Sequence, residues 1–180
     1  MKMRVLFFTT MLFLITKLSY AQKDVYEKSG DILQIALPSL AFTSTLIWND
    51  GSKPILQFVN TMGTSVLLTH SLKRIIDKER PNGGRYGFPS GHTSSAFTGA
   101  AFIQRRYGWK LGIPSYIIAS YVGWTRIHAN AHDTWDVIGG ATIGIVSSYL
   151  FTKPFKKEDV KLSLLNANTK GFSIGLTYKF

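Results

Sequence analysis

The sequence predicts an all-α fold: a helical bundle of five to six helices, followed by a short C-terminal β-hairpin. The chain has 180 residues, which suits one domain with a buried core. Five stretches of 15 to 19 residues carry no Asp, Glu, Lys or Arg, and this length and composition favour helices over strands. The five stretches cover residues 32–49, 54–72, 86–104, 111–125 and 137–152.

Residues 1–21 have the pattern of a secretory signal peptide. Lys2 and Arg4 give a positive start, an apolar run follows over residues 5–15, and Ser19 and Ala21 frame a small-x-small cleavage site. The alternative is an uncleaved first membrane helix, for which the apolar run is short. Cleavage would reduce the net charge from +11 to +8, because residues 1–21 contain three Lys or Arg and no acidic residue.

Capping and turn residues define the helices of a domain over residues 22–158. Asp31 and Ser90 are predicted N-caps, and Asp133 is predicted to cap the last helix. Pro54 suits the first position of the second helix. We therefore expect helices at residues 32–48, 54–79, 90–106, 114–129 and 133–151.

The tail, residues 159–180, has a different pattern. Apolar residues occupy every second position from Phe172 to Phe180, and Leu162 and Leu164 begin the same alternation before a turn-like segment. A period of two predicts strands, so the tail is expected to form a β-hairpin. A lone hairpin is marginally stable, and we expect it to pack as an accessory on another surface.

Composition excludes several classes of function. The absence of cysteine excludes disulfides, zinc-thiolate sites and a cysteine nucleophile. The balance of 21 Lys and Arg against 10 Asp and Glu predicts an anionic partner. The basic residues are scattered and form no stripe with interleaved aromatic residues, so no nucleic acid is expected. The remaining candidates for the anionic partner are a phosphorylated substrate and an anionic membrane surface.

The first candidate motif is Lys73 with Arg80 and Pro81, at the end of the second helix. A separation of seven residues is two helical turns, so both cations are expected on one face, where they could clamp an oxyanion. The alternative is a solvated basic helix end, because Arg74 and Lys78 are also present.

The second candidate motif, Pro89 to His92, precedes a helical run. Ser90 is a good N-cap, and Gly91 allows close approach of the backbone to a ligand. Free amides at a helix start bind anions, and a histidine there can protonate a leaving oxygen. The alternative is an ordinary Pro-Ser cap followed by a polar histidine.

The third candidate motif consists of Arg126, His132 and Asp136. A carboxylate four residues after a histidine shares its helix face and can accept the Nδ1 proton, which leaves Nε2 as a nucleophile or base. Arg126 adds a guanidinium that matches phosphate oxygens. The alternative is a buried structural His–Asp pair.

The three motifs together resemble the signature of the type 2 phosphatidic acid phosphatase superfamily. That signature is Lys-x6-Arg-Pro, then Pro-Ser-Gly-His, then Ser-Arg-x5-His-x3-Asp. The match extends from Lys73 to Asp136, and Thr125 replaces the usual Ser while keeping the hydroxyl. The superfamily also contains bacterial acid phosphatases, glucose-6-phosphatase and vanadium haloperoxidases.

The resemblance implies an all-α bundle that hydrolyses phosphate esters without a metal or other cofactor. It implies that His132 attacks phosphorus, that Asp136 orients His132, and that His92 protonates the leaving oxygen. The phosphate-binding residues implied are Lys73, Arg80, Ser90, Gly91 and Arg126. Two other histidines lie outside the motif positions. His70 could line the site or pack against a neighbour, and packing is favoured; His128 is expected in a loop between Arg126 and His132.

The first expected function is hydrolysis of a phosphomonoester or pyrophosphate of a lipid in a bacterial cell envelope, by a membrane-associated protein with a periplasm-facing site. The apolar helices favour this function, because small residues such as Gly, Ala, Ser and Thr let membrane helices approach closely. The same helices could form the core of a soluble periplasmic acid phosphatase of broad specificity. A vanadium haloperoxidase and a non-enzymatic envelope protein are further alternatives.

Overall fold

The computed structural model describes the backbone of residues 2–155, 161–167 and 171–177, and the side chains of residues 25–155. Residues 2–155 contain helices and loops and no strand, which confirms the all-α prediction for this part of the chain. Its five helices are α1 (Lys2–Ile47), α2 (Pro54–Ile76), α3 (Gly91–Tyr107), α4 (Trp109–His128) and α5 (Thr134–Phe151).

The backbone of the tail forms two strands, β1 (Lys161–Ala167) and β2 (Gly171–Thr177), which pair antiparallel. No side chain of this tail is among the described residues. This backbone pairing alone does not support the predicted hairpin, so the hairpin and its accessory role stay predictions.

The first helix differs from its prediction. α1 passes without interruption through Asp31, so Asp31 is not an N-cap. Its carboxylate contacts side chains of α3 and α4 instead, which removes it from any capping role. The backbone of residues 2–21 is continuous with the rest of α1, and cleavage after residue 21 and the domain boundaries stay predictions.

Two further helix ends also differ. α2 ends at Ile76, because Asp77 adopts a left-handed conformation with φ of 43°. Arg80 therefore lies beyond the helix, and the prediction that it shares a helix face with Lys73 is wrong. α4 begins at Trp109 and contains Pro114, because the single residue Gly108, with φ of 85°, both ends α3 and starts α4.

The helix starts predicted at the caps Ser90 and Asp133 are confirmed. The Ser90 side chain accepts a hydrogen bond from the Thr93 amide at the start of α3. At the start of α5, the Asp133 side chain accepts from the Asp136 amide and the Asp136 side chain accepts from the Asp133 amide, which is a reciprocal capping box.

α3 lies at the centre of the bundle and contacts each of the other four helices. Two glycines of α5 let it approach α3 closely. A Cβ at Gly140 would lie 2.5 Å from the Ser90 carbonyl oxygen, and one at Gly144 would lie 2.7 Å from the Ser94 carbonyl oxygen. This approach brings the start of α5 against the start of α3, where the second and third motifs lie.

The interior of the bundle consists mostly of small residues. Between α2 and α3, the Ser94 hydroxyl contacts those of Ser65 and Thr69, each at 2.8 Å. Large apolar side chains instead face outward, as with Leu67 (68 % exposed) and Ile75 (77 % exposed). Small and hydroxyl-bearing residues between helices, with large apolar residues outside, are typical of helices packed in lipid.

One stretch in the described part of the chain, Val25–Ile47, is long and apolar enough to cross a membrane, with a mean hydropathy of 1.3. This result rests on length and composition alone.

Candidate active site

A cavity of about 640 Å³ lies where α2 and α4 end and where α3 and α5 begin, with α1 along one side. Helix starts contribute free amides and helix ends contribute basic side chains, so this arrangement favours an anion. Six of the eight predicted site residues line the cavity: Lys73, Arg80, Gly91, His92, Arg126 and His132.

His132 and Asp136 form a buried pair at the base of the cavity. His132 Nδ1 lies 3.2 Å from Asp136 Oδ2, and the side chains are 4 % and 0 % exposed. A carboxylate is an acceptor, so Nδ1 carries the proton and donates, and Nε2 keeps its lone pair. Burial, together with the charge of Lys73, lowers the pKa of His132 to about 4, so the imidazole is neutral near pH 7.

Lys78 contacts this pair through the second carboxylate oxygen of Asp136. Its Nζ donates to Asp136 Oδ1 at 2.8 Å and also to the Asp133 carboxylate. The pKa of Asp133 is lowered by this hydrogen bond from Lys78. In the sequence, Lys78 is recognisable only as part of a solvated helix end, because a contact across 58 residues leaves no signal in motif spacing.

His92 contacts α1 from the first turn of α3. Its Nε2 lies 2.9 Å from Asp31 Oδ1. Burial lowers the pKa of His92 below its ordinary value; the charges of Arg126 and Arg80 lower it further, and the Asp31 carboxylate raises it. Asp31 therefore belongs to the site, which the sequence did not predict.

Arg126 is buried and held by three acceptors. Its Nη1 donates to Asp31 Oδ1 at 2.8 Å, Nη2 to the Glu27 carbonyl oxygen at 2.6 Å, and Nε to Thr125 Oγ1 at 3.1 Å. The last contact shows what the hydroxyl of Thr125 does. It accepts from the guanidinium, and a serine in the same place would carry the same hydroxyl.

Lys73 and Arg80 face the same cavity although only Lys73 is helical. Lys73 Nζ donates to the Tyr86 carbonyl oxygen at 2.7 Å, and burial together with Arg80 lowers the Lys73 pKa to about 8. Arg80 Nε is buried and has no hydrogen-bond partner among the described residues. A guanidinium nitrogen left open in this way is a donor available to an anion.

Two predicted site residues, Ser90 and Asp136, do not line the cavity. The positions of His70 and His128 also bear on their predictions. Ser90 is buried, and its hydroxyl is used by Thr93 as the helix cap. Asp136 does not line the cavity, and its Oδ2 contacts His132, which does. His70 lines the cavity, which is the alternative to the favoured packing against a neighbour. His128 lies in the last turn of α4, stacked on Trp124, rather than in a loop.

Several curated proteins are similar to this chain over most of its length. The lipid A 4'-phosphatase of Helicobacter pylori is 28% identical over 172 residues, covering 87% of this chain and 86% of that protein. The lipid A 1-phosphatase of Helicobacter pylori is 31% identical over 134 residues, covering 69% of this chain and 66% of that protein.

The fold is similar to that of two solved structures. A transmembrane PAP2 type phosphatidylglycerolphosphate phosphatase from Bacillus subtilis matches with a TM-score of 0.58 and 22% identity, over 72% of this chain and 74% of that one. Aquifex aeolicus LpxE matches with a TM-score of 0.53 and 20% identity, over 71% and 92%.

Residues 82–159 match the sequence model of the PAP2 superfamily, and this segment contains the second and third motifs. The first motif lies immediately before it and shares its cavity. The family match, the similar curated proteins and the shared fold agree with the three motifs: the chain belongs to the PAP2 superfamily.

Proposed function

We propose that this chain, a phosphatase, hydrolyses the phosphate or pyrophosphate group of a lipid through a phosphohistidine intermediate, and that it works at a bacterial membrane. The observation that carries the proposal is the junction of a cationic cavity with an apolar groove. The two have Gln34, Met62 and Ser95 in common, so a phosphate group and an attached apolar chain could be bound at once.

In the first step, the His132 Nε2 lone pair forms a bond to phosphorus and the bond from phosphorus to the leaving oxygen breaks. His92 gives its proton to that oxygen, so that the alcohol leaves neutral. Asp136 and Lys78 keep the His132 ring oriented, and the carboxylate offsets the positive charge that the ring gains on phosphorylation.

In the second step, water attacks phosphorus and the bond to His132 Nε2 breaks. His92, now neutral, takes a proton from the water, which regenerates both histidines and releases phosphate. Lys73, Arg80 and Arg126 surround the equatorial oxygens with positive charge, and phosphoryl transfer depends mainly on such positioning and charge stabilisation. The Gly91 amide lies at the free start of α3 and can add a backbone donor.

The apolar groove favours a lipid over a soluble ester. It has a volume of about 380 Å³ and runs between α1 and α2. Apart from the three residues that it has in common with the cavity, its lining residues are Ile35, Pro38, Ser39, Phe42, Thr43 and Phe58. Burial of one acyl chain here would contribute about 0.8 kcal/mol for each methylene removed from water.

The outward apolar side chains and the span-length segment Val25–Ile47 favour a membrane location. The positive net charge favours an anionic surface. The names of the similar curated proteins, lipid A phosphatases, support a phosphorylated lipid of the cell envelope as the substrate. Recovery of the protein in the soluble fraction without detergent would support a soluble acid phosphatase instead.

Filling the groove should separate lipid from soluble substrates. We expect Ser39→Trp to raise KM for phosphatidic acid and lipid A by roughly tenfold, because an indole placed in the groove displaces apolar contacts worth about 1.4 kcal/mol. Hydrolysis of a soluble aryl phosphate should be unchanged. The measurement is phosphate release in detergent with a metal chelator, for each substrate.

The matched control is Leu40→Trp, which places the same ring on the next residue of α1, at an exposed position outside the groove. Its kinetics should equal those of the wild type. Equal losses on lipid and aryl substrates in Ser39→Trp would contradict the groove as a lipid site. Faster hydrolysis of the aryl ester than of every lipid by the wild type would contradict the lipid proposal as a whole.

The pH dependence of kcat/KM should be bell-shaped with its maximum on the acid side of neutrality. Activity should rise with pH through about 4, as His132 becomes neutral, and fall again as His92 loses its proton, below its ordinary pKa of 6.5. The profile should be recorded from pH 3 to 9 with an alkyl phosphate. A maximum above pH 8 would contradict the assigned acid and nucleophile.

A further inference from the structure

Asp31 lies between two residues of the site. Its Oδ1 is 2.9 Å from His92 Nε2 and 2.8 Å from Arg126 Nη1, so one carboxylate oxygen joins α1 to α3 and α4. Asp31 belongs to none of the three motifs, and α1 precedes the first motif by more than twenty residues.

The packing of α1 fixes this position. The Glu27 carbonyl oxygen accepts from Arg126 Nη2 one turn before Asp31, and Gly30 lies directly against α4. A Cβ at Gly30 would be 2.2 Å from Thr125 Oγ1 and 2.6 Å from Arg126 Nη2. The absence of a side chain at residue 30 is therefore what lets the Asp31 carboxylate reach both partners.

The charges around His92 show why a carboxylate matters there. Arg126 and Arg80 both oppose a positive charge on the imidazole, as does burial, while Asp31 favours it. Other charged or titratable groups line the same cavity from α1, α2 and the loop before α5; they are Glu27, His70, Lys73 and His132. Without Asp31, three unfavourable influences would act on the protonated imidazole and its hydrogen-bonded anion would be gone.

We propose that Asp31 is a positioning residue: its carboxylate binds the His92 imidazole at Nε2, favours the protonated form of that imidazole, and fixes the Arg126 guanidinium at the same time. When the substrate arrives, its ester oxygen replaces Asp31 as the acceptor of the Nε2–H hydrogen bond and takes that proton as the bond from the ester oxygen to phosphorus breaks. Asp31 stays unprotonated and remains bound to Arg126. The inference rests on the proposed phosphatase chemistry.

The test is Asp31→Asn, which keeps the size and an acceptor oxygen but removes the charge. We expect kcat for an alkyl phosphate at pH 7 to fall about tenfold, because an opposite charge at hydrogen-bond distance favours a protonated group by about a factor of ten or more. The falling limb of the pH profile should move to lower pH. An aryl phosphate with a good leaving group needs no proton, so its kcat should change little.

The matched control is Asp77→Asn, which removes a carboxylate from an exposed pair with Arg85, outside the cavity. It should leave both rates and the pH profile unchanged. A second readout does not need activity: the pKa of His92, followed by NMR of its ring and assigned with His92→Gln, should be lower in Asp31→Asn than in the wild type.

Equal losses on alkyl and aryl esters, with an unchanged His92 pKa, would show that Asp31 is only structural and would overturn the inference. Release of no phosphate by the wild type would overturn the proposed function. In that case a lowered His92 pKa in Asp31→Asn would still establish the electrostatic link, and an unchanged one would remove it.

Discussion

His132→Ala should abolish phosphate release, with a fall in kcat of roughly 10⁴-fold or more, because removal of a covalent nucleophile leaves only binding and charge stabilisation. The cavity and its cations should remain, since the His132 side chain is replaced by a smaller one and Lys73, Arg80 and Arg126 are held by other contacts or by the loop. KM should therefore change much less than kcat. Phosphate release from the preferred lipid, measured in detergent with a chelator, gives both constants.

The phosphorylated intermediate gives a direct readout of the same residue. Brief incubation of the wild type with a substrate labelled in the phosphate should leave label on the protein that is stable in alkali and lost in acid, as expected for a phosphoramidate bond. His132→Ala should carry no label. His92→Ala should still accept label from an aryl ester, because a good leaving group departs without a proton.

The matched control is His128→Gln, which changes a histidine four residues away that is exposed and stacked on Trp124 rather than lining the cavity. Its rate should equal that of the wild type. Label retained in His132→Ala, or an equal loss of rate in both variants, would contradict the assignment of the nucleophile.

The parts of this site that the sequence predicted are those fixed by short spacings. The sequence predicts Ser90 and Asp133 as caps because capping chemistry acts within four residues. It predicts His132 and Asp136 as a pair because they are one helical turn apart. Each of these local relations holds in the structure. The prediction that Lys73 and Arg80 share a helix face was wrong, because a left-handed residue that is not glycine, Asp77, ends α2.

The residues that the sequence missed act over long separations. Asp31 reaches across 61 residues to His92 and 95 residues to Arg126, and Lys78 reaches across 58 residues to Asp136. An acidic residue before an apolar run matches an N-cap, so the sequence predicts only a local role for Asp31. Only the packing of α1 against α4 at Gly30 shows that its carboxylate enters the site.

The largest effect on stability should come from Asp50→Ala, at the loop between α1 and α2. Arg106 Nη2 donates to Asp50 Oδ1 at 3.0 Å, and the two side chains are 0 % and 1 % exposed. Arg106 also donates to Ser52 Oγ and to the Trp48 carbonyl oxygen, at 3.3 and 3.2 Å. The Arg106–Asp50 ion pair connects the loop to the end of α3, and neither residue lines the cavity.

Removing one partner of a buried ion pair leaves an uncompensated charge, which typically costs about 3–5 kcal/mol. Asp50→Ala should therefore lower the free energy of unfolding by about that amount, measured by urea titration in detergent. The folded fraction should keep the kcat of the wild type, because the cavity lies at the opposite ends of α2 and α3 from this loop. The control is Asp77→Asn, which breaks an exposed Asp–Arg pair and should leave the urea concentration at the midpoint of unfolding unchanged.

A double substitution distinguishes the cost of an unpaired charge from the loss of favourable contacts. Asp50→Leu with Arg106→Met removes both charges and keeps apolar volume, so it should recover part of the stability lost in Asp50→Ala. If the double variant is less stable than Asp50→Ala, the contacts of Arg106 with Ser52 and Trp48 contribute more than the charge balance does. An Asp50→Ala protein as stable as Asp77→Asn would show that this buried pair does not hold the loop.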